Sequence, residues 1–99
     1  MTDFVLIGKL AETPSVETAK NGLKFMKLKV DSNIGHSDEN PEIFEVYAWN
    51  SLADGIYSEG QMLFIKGHLQ ANNYEKETNV YYNARLTAER IDINAWLPL

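Results

Sequence analysis

An all-β fold is predicted: a five-stranded Greek-key barrel with one short helix between the third and fourth strands. Three observations predict it. Five short runs read as strands, one almost wholly apolar and the others with apolar residues at the two-residue period. Gly, Pro and Asn-Gly pairs punctuate them at intervals suited to a small barrel. Only one stretch, after Trp49, carries apolar residues at helical spacing. At 99 residues the chain is long enough for one modest core, so residues 1–99 are read as a single domain. On pattern alone the competing architecture is a five-stranded barrel of the SH3 type.

The first strand is Phe4 to Leu10, almost wholly apolar and suited to cover on both faces. Ala11 to Gly22 holds two turn pairs, Thr13-Pro14 and Asn21-Gly22, and the segment between them is expected to pair loosely. Leu23 to Val30 is the second strand, with Met26, Leu28 and Val30 facing the core and Lys27 and Lys29 facing out. Leu23 and Phe25 stand on the other phase from that core set, which suggests a bulge near Phe25-Met26. Asp31 to Pro41 is polar and aperiodic, hence a loop. His36 beside Asp38 and Glu39 in that loop reads as plain surface rather than a metal site, because no ligand-spacing motif accompanies it.

Glu42 to Trp49 is the third strand. Phe44, Val46 and Ala48 take the core face, and Ile43, Glu45, Tyr47 and Trp49 the outer one. Two large rings at i and i+2 on an outer face make a platform on which nucleobases can stack. Asn50 is the expected cap of a helix of about two turns, with Leu52, Ala53, Ile56 and Tyr57 as its apolar stripe and Gly60 as its end. Met62 to Gln70 is the fourth strand, where mid-strand Gly67 implies a bend or close backbone approach. A polar hairpin tip, Ala71 to Asn79, contains Tyr74, and Val80 to Ile91 is the fifth strand.

Composition narrows the function. The hydrophobic fraction of 44% is that of a globular protein, and the absence of cysteine excludes disulfides and thiolate metal sites. No apolar run spans a bilayer and the amino terminus lacks a basic region, so a cytoplasmic domain is expected, with no membrane partner. Enzyme classes fail for want of a glycine-rich phosphate loop, a cysteine nucleophile or a serine elbow. No catalytic residue, cofactor, metal or small-molecule substrate is expected. The net charge of −5 opposes phosphate binding, but it is unevenly spread. Asp31 to Ile65 holds seven acids and no Lys or Arg, whereas the remainder holds nine cations against seven acids.

Several blocks together resemble the bacterial single-stranded DNA-binding protein family: F-V-L-I-G-K-L from Phe4, Thr13-Pro14, Asn21-Gly22, W-N-S-L-A-D from Trp49, E-G-Q-M-L-F-I-K-G-H-L-Q from Glu59, and Tyr74. They follow one another in the family's order and near its spacing, over roughly Thr2 to Ile91. The resemblance implies an oligonucleotide-binding (OB) fold, whose barrel is closed at one end by the short helix. It also implies that Trp49 and Tyr74 stack on bases, with Tyr47, Phe64 and Tyr82 extending the platform. Lys9, Lys24, Lys27, Lys29, Lys66 and Arg85 are the cations available to phosphates. The other possibility for Trp49 and Phe64 is burial in a subunit interface or under a loop.

The chain departs from the family's pattern at Ile43, where a tryptophan is frequent, and at Glu45 and Asn73, where basic residues are. Its Asp31–Pro41 loop is short and acidic, and W-L-P-L at the end follows no acidic tip, so a compact accessory form is expected. The resemblance further implies a homo-oligomer, dimer or tetramer, acting on single-stranded DNA in replication, repair or recombination. The alternative function is a protein-interaction or primosome-like module on the same fold, with its acids facing a basic partner. RNA binding on the same platform is a third reading.

Overall fold

The computed structural model describes residues 2–33, 40–71, 74–77, 79–81 and 84–93. The strands are β1 (Thr2–Leu10), β2 (Val16–Thr18), β3 (Lys24–Asp31), β4 (Ile43–Trp49), β5 (Met62–Ala71), β6 (Tyr74–Lys76), β7 (Asn79–Tyr81) and β8 (Ala84–Ile93). A 3-10 turn, Asn50–Asp54, lies between β4 and β5. The main sheet runs β1-β5-β8-β4-β3-β2, and β1 also pairs with β3 through Lys9–Asp31 and Leu10–Val30. That pairing closes the five long strands into a barrel, the predicted all-β architecture.

Alternation fills the interior. Leu10, Leu28, Val30, Val46, Leu63 and Ile65 are wholly buried, joined by Leu6, Met26, Ala48, Ala53, Tyr57 and Ala88. Burying each Leu, Ile or Val side chain contributes about 1.5–3 kcal/mol, so this inward row is the main force holding the barrel. Gly67 is buried at the Lys66/Gly67 register shift between β5 and β8, where a Cβ would collide with the Thr87 carbonyl oxygen and come 2.9 Å from Phe4 Cε1. The close backbone approach predicted for this glycine is therefore present.

Several expectations need correction. The apolar first strand is covered on one face only: Val5 and Ile7 point outward and are exposed. No bulge interrupts Phe25-Met26. Phe25 pairs with Trp49 and Met26 with Ala48 in an unbroken β3–β4 ladder, so Phe25 simply belongs to the outer face with Lys27 and Lys29. Phe44 keeps the predicted phase but is 38% exposed, because the start of β4 stands clear of β8.

The two-turn helix is a single 3-10 turn. Gly55 is already extended, at φ −65° and ψ 151°, so the helical spacing lapses beyond Asp54. Ala53 and Tyr57 reach the core, while Ile56 is 87% exposed. Trp49 rather than Asn50 is the capping residue. Gly60 instead serves the next turn at φ +89°, and its N–H donates to the Leu10 carbonyl (2.8 Å). The predicted fifth strand also divides. Its first part, β7, pairs with β6 next to Glu77, which takes φ +60°, and β8 is the part that enters the barrel.

The loops obey simple hydrogen-bond chemistry. At the β2–β3 turn Gly22 takes φ +86°, and Asn21 Oδ1 accepts the Leu23 N–H (3.0 Å). The Asp31 carboxylate accepts the N–H groups of Asn33 (2.9 Å) and Glu42 (3.0 Å), drawing together the two ends of the β3–β4 loop. His36, Asp38 and Glu39 lie outside the described residues. Among the described residues no three metal-ligating side chains come together and no helix is long and apolar enough to cross a membrane.

Candidate nucleic-acid interface

The outer faces of β3 and β4 bring three aromatic rings together. Because Phe25 and Trp49 are register partners, their rings meet across the ladder at 4.9 Å between centroids. Tyr47, two residues before Trp49 on the same face, lies 6.5 Å from it at an interplanar angle of 17°, and 5.9 Å from Phe25. All three are half-buried, so each keeps part of its surface open to solvent. The sequence pointed to Tyr47 and Trp49. It did not yield Phe25, although the outward phase it shares with Lys27 and Lys29 was the available signal.

Two cations flank the rings. Arg85 on β8 sets its guanidinium over Tyr47 at 4.9 Å, and the Lys27 ammonium lies 5.9 Å from the same ring. Such cation–π contacts hold a positive charge beside an aromatic surface without neutralising it. The other predicted cations are differently engaged. Lys29 is paired with Glu12 at 3.0 Å, and that hydrogen bond and charge raise its pKa above the ordinary lysine value. Lys24 is paired with Asp54.

Lys9 and Lys66 sit on the outer faces of β1 and β5, away from the ring cluster. Phe64 is there too, opposite Ile7 on β1 and Asp92 on β8. It therefore belongs with the exposed Val5 and Ile7, not with Tyr47 and Trp49. The backbone of Tyr74 is in β6, which with β7 forms a ribbon separate from the main sheet. Tyr82 lies outside the described residues.

Beside Tyr47 an open cleft of about 540 Å³ separates the start of β4 from β5 and β8. Among the described residues β4 and β8 pair at Val46–Leu86 and Tyr47–Thr87, and the cleft lies before these pairs. Ile43, Phe44, Leu69 and Leu86 give it apolar walls, with Glu45 and Arg85 on its lining. A smaller polar hollow of about 190 Å³ lies between the β1–β2 loop and β3, lined in part by Thr13, Ser15, Lys27 and Lys29.

A closed five-stranded barrel with partly exposed, cation-flanked aromatics is an OB-fold with a surface suited to binding bases. The family model described as "Single-strand binding protein family" matches residues 1–94, and the chain belongs to that family of single-stranded DNA-binding proteins. Among solved structures the chain is similar to a deletion mutant of the single-stranded DNA binding protein from Thermus aquaticus, with a TM-score of 0.74 at 24% identity. That match covers 94% of this chain and 50% of the other, so the chain spans about half the length of that protein and shares its fold. No curated protein matches the sequence significantly.

Proposed function

We propose that the chain binds single-stranded DNA with little regard to sequence by stacking successive bases on Phe25, Tyr47 and Trp49. Lys27 and Arg85 accompany the phosphates alongside. The observation that carries this reading is the cluster itself: three partly exposed rings in mutual contact, bordered by two cations that no acid neutralises among the described residues. Stacking on an aromatic ring is worth about 1–3 kcal/mol per base and tolerates any base. Family membership supports the same ligand.

Tyr74, whose backbone lies in β6, and Tyr82 are the further stacking residues that family membership supports, while Lys9, Lys24, Lys29 and Lys66 give weaker, outlying charge. The exposed apolar side chains of Val5 and Ile7, with Phe64 beside them, support association of copies into a dimer or tetramer. Such an assembly would present several interfaces to one strand and gain avidity. Work on DNA in replication, repair or recombination follows from that ligand.

The test is intrinsic tryptophan fluorescence during titration with oligothymidine at low salt, for wild type and Trp49→Ala. Quenching that vanishes in the variant, which retains Trp96, supports stacking on Trp49. Absence of both quenching and a gel shift at low salt overturns DNA binding and leaves the acidic Asp31–Glu59 stretch to a protein partner.

A further inference from the structure

We infer that the cleft beside Tyr47 is a base-reading pocket that accepts one nucleobase of the bound strand and favours guanine. The inference rests on the stacking reading above and deepens it by naming a preference at one position. Tyr47 belongs both to the ring cluster and to the cleft lining, so a strand laid over the rings reaches the cleft without leaving the protein surface. The volume of about 540 Å³ is within the range of small-molecule sites. Apolar walls from Phe44, Leu69 and Leu86 suit the faces of a base.

The polar chemistry selects among bases. Glu45 and Arg85 line the same cleft, and among the described residues neither makes an ion pair. The cross-strand neighbour of Glu45 is Lys29, whose ammonium is held by Glu12. A carboxylate only accepts hydrogen bonds and a guanidinium only donates them. Guanine presents adjacent N1–H and N2–H donors that match two carboxylate oxygens, with O6 and N7 beside them to accept from arginine. Thymine offers the carboxylate a single N3–H, flanked by two carbonyl oxygens that repel it. Adenine offers only its N6 amine as donor. An acid on a phosphate-binding surface weakens non-specific affinity, so Glu45 contributes only where a base supplies donors to it.

The test compares oligothymidine with the same oligomer carrying one internal guanine, inosine or adenine, titrated into the full chain at fixed salt. One good two-point contact corresponds to about tenfold tighter binding of the guanine oligomer. Inosine, which lacks the N2 amine, should lose most of that gain. Glu45→Ala should erase the difference while leaving oligothymidine binding unchanged or tighter, which a merely unfolded variant would not do. Equal affinity for guanine and thymidine oligomers in wild type, or a preference that survives Glu45→Ala, overturns the pocket but not the stacking surface. Failure of every oligomer to bind overturns both.

Discussion

The Thr87 carbonyl oxygen fills the space that a side chain on Gly67 would need, which fixes the closest approach of β5 to β8. Backbone cannot give way as the end of a flexible side chain can. Gly67→Ala is therefore expected to cost at least about 2 kcal/mol, read as a lower urea midpoint. A loss under about 0.5 kcal/mol would show that the strands can part there cheaply.

Phe25 should contribute to binding even though it stands on a different strand from Tyr47 and Trp49. Phe25→Ala is expected to weaken oligothymidine binding by about 1–3 kcal/mol, with Phe25→Leu intermediate because it keeps apolar cover without a π-face. The double variant with Trp49→Ala should fall short of additivity, since the two rings touch at 4.9 Å. Unchanged affinity in Phe25→Ala would make that ring a prop for its neighbour alone.

Salt dependence separates free cations from engaged ones. Lys27→Ala is expected to flatten the plot of log affinity against log salt by about 0.7, the single-strand value for one phosphate contact. Lys24→Ala should change it far less, because Asp54 already holds that ammonium. Equal slopes for the two variants would contradict the assignment of Lys27 to the phosphate path.

Asp31 links the β3–β4 loop to pH. The Glu42 and Asn33 N–H groups bond its carboxylate and hold its pKa below the ordinary aspartate value. The folded state thus binds this proton less readily than the unfolded chain. Its stabilisation is complete above the ordinary range near 4 and is lost as pH falls through the depressed value. Acid titration of stability should show this loss in wild type and a shallower one in Asp31→Asn. Identical acid profiles would remove Asp31 from the account.

Strand phase was legible because burial follows a two-residue period: Met26, Leu28, Val30, Val46, Ala48, Leu63 and Ile65 are inside as their alternation requires. The 3-10 turn was not, since Leu52, Ala53, Ile56 and Tyr57 fit helical spacing equally well until Gly55 turns extended. The site was half legible. Tyr47 and Trp49 advertise themselves by sharing a strand face, whereas Phe25 joins them only through cross-strand register, a relation between distant residues that local pattern does not encode. Likewise Glu45 and Arg85 are forty residues apart in sequence and line one cleft only because β4 and β8 run side by side.

Among the described residues the β4–β8 pairing is Val46–Leu86 and Tyr47–Thr87, and the other closing ladder, β1–β3, is Lys9–Asp31 and Leu10–Val30. The barrel is thus a clamshell whose shells, β2-β3-β4 and β1-β5-β8, are sewn by two brief seams. Amide hydrogen exchange should find the seams opening before the ladders within each shell. Phe25, Tyr47 and Trp49 all ride on one shell, so breathing leaves the ring cluster whole. Arg85 rides on the other, and a strand that touches both shells would act as a clasp, slowing exchange at a seam it does not cover.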